Sequence, residues 1–286
     1  MPFWLSVGVL GLVQATLVGL PRGRRRPVWV ERLRSPWWAL VPAGSIALVI
    51  GVVELESDSA TWLSYLALVA VPPLAAFALG SLLHRSKPAW AWVALPLFAL
   101  AWALPDALAG EAAATALSGL ACVTLGWLLV SAVPAAWLRL GVYAMAIIDT
   151  IYVSADLLQG PNAVLNVAAP AASLPALQSV HLGSAVMGFG DLFVAALVGC
   201  LLAADGPKSE RMERFSARRQ RAGAGLTLVL ALGFDLLFFA VDTLPATVPV
   251  AVALVLLESP RARAGATRWS PIGGRKRCTQ RSGGQL

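Results

Sequence analysis

The chain is short of charge, of histidine and of paired cysteine, and each shortage closes off a class of function. Only 13% of its 286 residues are charged, against 58% apolar. Soluble domains carry about 25% charged residues. The composition therefore excludes a water-soluble globular protein and indicates an integral membrane protein. Histidine occurs only at His84 and His181, and His-Glu-x-x-His is absent, so a zinc membrane protease is not expected. Cys122, Cys200 and Cys278 show neither paired nor metal-ligand spacing. No cofactor and no metal is expected. The N-terminus lacks a basic leader, and its first apolar run is followed by Arg22, Arg24, Arg25 and Arg26. That pattern reads as a first membrane helix rather than a cleavable signal peptide. There is no long internal repeat.

Apolar segments of spanning length lie at about 2–20, 36–54, 60–83, 89–105, 112–133, 135–158, 184–204, 222–242 and 244–258. Asp242-Thr243-Leu244-Pro245 separates the last two. With nine crossings and the N-terminus outside, all 22 Lys and Arg residues fall on the inner side. The outer connections then carry Glu54, Glu56, Asp58, Asp106, Glu111 and Asp242. Merging the last two segments would place the basic tail outside. The positive-inside rule thus predicts an outside N-terminus and a cytoplasmic C-terminus, in the cell membrane. The net charge of +7 reflects anchoring at a membrane surface, not nucleic-acid binding. The predicted fold is an all-α membrane bundle of about nine helices over 1–258, with a core at about 135–258. The basic tail at 259–286 is expected to be disordered. The connection at 160–183 has no charge and contains Pro161, Pro170 and Pro175. It is expected to lie in the interface or dip into the membrane as a broken, non-spanning stretch.

Two carboxylates lie inside this apolar frame. Asp149 sits in Ala144-Met145-Ala146-Ile147-Ile148-Asp149-Thr150-Ile151-Tyr152-Val153, and Asp191 in Val186-Met187-Gly188-Phe189-Gly190-Asp191-Leu192-Phe193-Val194. A carboxylate in hydrocarbon costs several kcal/mol. Asp149 is ten residues beyond Arg139, roughly 15 Å along a helix. Asp191 follows Ser184 by seven residues on a helix running the other way, at comparable depth. Consecutive antiparallel helices tend to pack together, so the two acids are expected to face each other. Such a pair shares one proton near neutral pH, leaving one carboxylate to activate water and one acid to polarise a carbonyl. Gly188 and Gly190 remove bulk, so that a neighbouring helix or an extended substrate strand can approach, and they permit backbone bends. The plainer reading of either acid alone is a hydrogen-bonded packing residue. Two at matched depth are harder to justify structurally. Asp235, in the eighth segment, reads as a packing residue.

The segment Gly188-Phe189-Gly190-Asp191-Leu192-Phe193, followed by Val198-Gly199, resembles the Gly-x-Gly-Asp motif of the presenilin and signal peptide peptidase family of intramembrane aspartyl proteases. Asp149 falls where that family keeps its other aspartate, and Gly160-Pro161 resembles presenilin. Leu244-Pro245-Ala246-Thr247-Val248-Pro249 is similar to the Pro-Ala-Leu motif that opens the family's ninth helix. The likeness covers mainly Leu140 to Leu257. It implies catalytic roles for Asp149 and Asp191, and substrate positioning by Gly188, Phe189, Gly190, Pro245, Ala246 and Thr247. It implies membrane-spanning peptide or protein substrates, with lipid as the surrounding partner. The chain departs from the family at Ile148, where tyrosine is usual, and at Thr247, where leucine is usual. The inferred orientation is that of signal peptide peptidase and opposite to presenilin. Pro245 and Pro249 are expected to free carbonyls in the preceding turn for pairing with a substrate strand or with the active-site loop, so that Pro245→Ala strongly lowers cleavage.

Two rival readings draw on the same acids. Prepilin peptidases also use Gly-x-Gly-Asp but follow it with lysine, where this chain has Leu192. A proton-coupled transporter would use Asp149, Asp191 and Asp235 as a relay. A dyad requires the first two acids close enough for one water to bridge; a relay spaces three along a path.

Overall fold

The computed structural model describes residues 1–22, 34–41, 44, 59–84, 86–155, 174–204, 210–239 and 244–258. Most of the expected segment at 36–54, together with Gly160, Pro161, Asp242 and the tail at 259–286, lies outside the described residues. The rest is mostly helical. Helices α1 (Phe3–Gly19), α2 (Ser59–Ser81), α3 (Ala94–Ala103), α4 (Leu108–Ala132) and α5 (Ala135–Ser154) come first. The strands β1 (Ser179–Leu182) and β2 (Ala185–Gly188) follow, then α6 (Phe189–Ala204), α7 (Glu210–Asp235) and α8 (Val248–Glu258). Short 3-10 turns at Pro36–Ala39 and Pro88–Val93 precede α2 and α3, and a third at Leu236–Phe239 extends α7. Four helices, within α2, α4, α5 and α7, are long and apolar enough to cross a membrane; the other apolar helices are shorter.

The middle of the bundle is α4 against α6, with α1 packed on the other side of α6 and α7 on α1. α2 and α3 cover α4. Small residues permit the close approaches. A methyl group on Gly199 of α6 would lie 2.6 Å from the Leu17 carbonyl oxygen and 2.7 Å from that of Val18, both on α1. One on Gly126 of α4 would lie 3.2 Å from the Leu197 backbone. Backbones this close gain dispersion contacts that bulkier residues would forbid. The core cluster accordingly runs through Leu17, Val18, Leu117, Val123, Leu192, Leu197 and Leu201.

The helix ends sort into two levels. At one, Arg22 N–H donates to the Leu82 carbonyl (2.7 Å), Ser35 N–H to the Ala132 carbonyl (3.0 Å), and Gln220 Nε2 to the Pro21 carbonyl (2.7 Å). Arg139 and Arg219 meet Glu258 at this level. At the other, Gly183 N–H donates to Glu111 Oε2 (2.6 Å), Ser184 Oγ to the Met1 carbonyl (3.4 Å), and Trp4 stacks on Phe239. Exposed Trp37, Trp38, Trp90, Trp92 and Trp137 gather toward the first level, and Trp4 and Trp62 toward the second. Amphipathic indoles at two levels are what a bilayer's two interfaces select.

The expectation of an all-α bundle needs one correction. Residues 179–188 form an antiparallel hairpin, with Ser179 opposite Gly188 and Leu182 opposite Ala185. Its two-residue turn uses Gly183 at φ +61°, a conformation glycine adopts without steric cost. The seventh apolar segment is therefore not helical from Ser184; α6 begins at Phe189. Likewise α8 begins at Val248 and has 11 residues, fewer than the expected segment at 244–258.

Candidate active site

Asp191 lies in the first turn of α6. Its Oδ2 accepts the backbone N–H of Gly188 at 3.2 Å. Gly188 is the residue before the helix and Asp191 the third residue within it, so this is the reach-back half of a capping box. The hairpin makes the bond available, because it ends at Gly188 and turns into α6 there. The hairpin also corrects the depth argument. An extended strand advances about 3.3 Å per residue, against about 1.5 Å for a helix. β2 therefore carries the chain inward faster than the helix expected there.

Asp149 stands on α5, three residues after Ala146, which faces the core. Its Oδ2 accepts Thr247 Oγ1 at 2.6 Å and Thr247 N–H at 3.4 Å. Thr247 is buried and immediately precedes α8; its carbonyl accepts the Ala251 N–H at 3.1 Å. It is the N-cap of α8, and its own amide and hydroxyl are both turned to Asp149. Each acid is thus held through Oδ2 beside the N-terminus of a helix, where backbone dipoles favour negative charge. Among the described residues, Oδ1 of each receives no donor. Both side chains are half-buried. α5 touches α6, and the charge of Asp149 lies within electrostatic reach of Asp191.

The other expected site residues distribute as follows. Gly188 and Gly190 are exposed. A side chain on Gly190 would meet open space, whereas one on Gly188 would crowd Asp191 Oδ2 at 3.3 Å. Phe189 packs on the core, and its carbonyl accepts Cys122 Sγ–H at 3.8 Å. Pro245, Ala246 and Thr247 form the turn entering α8. The expectation that Pro249 frees a carbonyl in the preceding turn is overturned; most of the turn before Pro245 lies outside the described residues. Pro245 lies before the helix, and its carbonyl accepts the Val248 N–H at 3.3 Å. Pro249 is the second residue of α8, where an amide has no intrahelical partner in any case.

Asp235 is not part of this pair. It sits at the end of α7 against Gly11 of α1, and its buried Oδ2 has no hydrogen-bond partner among the described residues. His181 lies in β1, where Nε2 is 2.9 Å from Ser179 Oγ.

Two features escaped the sequence reading. Glu258, at the end of α8, takes Arg139 Nε of α5 at 2.5 Å on Oε1, with Arg219 Nη2 of α7 at 3.7 Å. Its Oε2 accepts the Tyr143 hydroxyl at 3.3 Å. An acid among basic residues at a span's end was the available signal. Gln14, 2% exposed on α1, donates Nε2 to the Ala246 carbonyl at 3.1 Å. A lone amide in the middle of an apolar helix was the signal there. Beside Asp149, a groove of about 320 Å³ runs between α5 and α8, lined by Ala146, Ile147, Thr150, Ile151, Val248, Ala251 and Val252. Among the described residues, no cluster of three or more metal-ligating side chains occurs. No protein-family model, curated protein or solved structure matches the chain.

Proposed function

We propose that the protein is an intramembrane aspartyl protease that cleaves peptide bonds in membrane-spanning helical substrates with Asp149 and Asp191. The observation that supports this reading is that two acids stand on touching helices, α5 and α6. Each is fixed through one oxygen, and each is left with another for chemistry. The reading rests also on the resemblance of the segments at Gly188–Asp191 and Pro245–Thr247 to presenilin-like motifs.

In the proposed step, the ionised member of the pair takes a proton from water as the water oxygen bonds to the substrate carbonyl carbon. The protonated member donates to the carbonyl oxygen. One member then gives its proton to the amide nitrogen while the other takes a hydroxyl proton from the tetrahedral diol; the carbon–nitrogen bond breaks to leave a carboxylic acid and an amine, and the pair again shares one proton. A helical substrate reaches the acids through the apolar groove between α5 and α8. It must unwind there, because a helical carbonyl is already hydrogen-bonded. The open space beside Gly190 accommodates the extended stretch. The described basic residues near the ends of α1, α2, α5 and α7 lie at the level of Glu258, while Asp106 and Glu111 lie toward the other. That separation supports a cell-membrane orientation with the N-terminus outside and the level of Glu258 cytoplasmic.

The test is cleavage of a membrane-spanning reporter by purified protein in liposomes, read by mass spectrometry. Asp149→Asn and Asp191→Asn are each expected to insert normally and to lose at least about 10³-fold in rate, since an amide cannot cycle the proton. Asp235→Asn is expected to change it less than about threefold, as a residue packed away from the pair. Near-normal cutting by either dyad variant would sink the proposal. Equal dependence of proton-coupled solute uptake on all three acids would put a transporter in its place.

A further inference from the structure

We propose that Gln14 is a positioning residue for Asp149, acting through the peptide group that joins Ala246 to Thr247. The catalytic consequence rests on the protease reading, whereas the geometry stands without it. The carbonyl of Ala246 and the N–H of Thr247 belong to one planar, trans peptide unit, so they point in opposite directions. Gln14 Nε2 holds the carbonyl at 3.1 Å. Asp149 Oδ2 holds the N–H at 3.4 Å and the adjoining hydroxyl at 2.6 Å. A single peptide group is therefore strung between α1 and α5, with its rotation fixed from both ends.

Burial explains why the tie matters. Gln14 shares a face of α1 with Val7, Leu10, Leu17 and Val18, all buried. An amide there is costly unless its donors are used, so losing the contact leaves a buried amide and a half-buried carbonyl without each other. Hydrogen bonds in series also polarise one another; a donor to the Ala246 carbonyl makes the Thr247 N–H a stronger donor to the carboxylate. Asp149 sits on a helix with few buried residues, Leu138, Val142 and Ala146. Its side chain is thus placed more by the Thr247 contacts than by surrounding core.

The test uses the full chain in liposomes, labelled with ¹³C-aspartate. The infrared carboxyl band of Asp149 is isolated by subtracting the Asp149→Asn spectrum. Thr247→Val, which removes the hydroxyl donor, is expected to shift this band and its titration. Thr247→Ser, which keeps both donors, is expected to leave them in place. Gln14→Leu is expected to shift the band in the same direction as Thr247→Val by a smaller amount, and to lower kcat roughly tenfold with KM unchanged. Should Gln14→Leu fail to accumulate, Gln14→Met, unbranched and similar in length, is expected to give the same result. An unchanged Asp149 band in the folded Gln14 variant, or in Thr247→Val, would overturn the proposal. A band shift in protein that cuts no substrate would leave the positioning role standing and reject the protease reading instead.

Discussion

The two acids stand on helices of opposite character. α6, which carries Asp191, is buried from Val194 to Leu202 without a break and packs against α1, α4 and α7. α5, which carries Asp149, buries only Leu138, Val142 and Ala146, and exposes Ile147, Ile148 and Ile151. Asp191 is therefore fixed by close packing over a whole helix. Asp149 is fixed by a few polar ties, at Thr247 on one side and at the Arg139–Tyr143–Glu258 cluster about two and a half turns away. A site built this way has one rigid wall and one that depends on a small number of hydrogen bonds. The second wall is also the one that lines the groove through which a substrate would arrive.

The contrast can be broken hardest on the rigid side. Gly199→Val would drive a side chain into the Leu17 and Val18 carbonyls, with no flexible neighbour to yield. It is expected to cost about 3 kcal/mol or more, or to prevent a stable bundle. Yield of monodisperse protein and the midpoint of unfolding in mixed detergent would show it. A variant as stable as the parent would mean that α1 and α6 do not approach this closely.

A smaller effect is expected at the polar wall. Glu258→Gln removes the charge that Arg139 and Arg219 share and weakens the bond from Tyr143. Loss of one partner from a partly buried ion pair is expected to cost about 1–2 kcal/mol after allowance for solvent screening. Cleavage is expected to fall by about three- to tenfold, while Asp191 keeps its bond to Gly188. Reporter assays beside an unfolding titration would separate the two. If stability falls and cleavage does not, α5 is held in place by something other than this cluster.

The smallest change is expected on the outward face of α5. Ile147→Ala removes a side chain that is 60% exposed in the bundle and faces the groove. Stability should move by less than about 0.5 kcal/mol, as at other non-core positions. KM should rise about two- to threefold with kcat unchanged, as for the loss of uniform binding contacts. A large fall in stability here would erase the distinction between the two walls.

The hairpin shows how a signal can be present and still be outweighed. Ser179-Val180-His181-Leu182 and Ala185-Val186-Met187-Gly188 flank Gly183-Ser184, a two-residue turn sequence. The same stretch leads into an apolar run of spanning length, and length decided in favour of helix. Strand pairing won because β1 and β2 rest Val180, Leu182 and Ala185 in the core, and Gly183 and Ser184 are tied to Glu111, Ser6 and Met1. The Pro245 region is a break, as expected, but Pro249 does not free the Pro245 carbonyl, which accepts the Val248 N–H. A proline's effect depends on where the helix starts, and a sequence places that only to within a few residues.

From its sequence alone the chain is identified as apolar, with its charges gathered in the connections and two carboxylates set in apolar runs. Those are properties of single residues and short windows, since the cost of placing a charge in hydrocarbon depends on that charge and its near neighbours. Only the tertiary structure decided what holds the acids. Asp149 finds Thr247 across 98 residues, and Gln14 finds Ala246 across 232. No local pattern specifies such partners, because hydrogen bonds at that separation exist only after helix packing has chosen which faces meet.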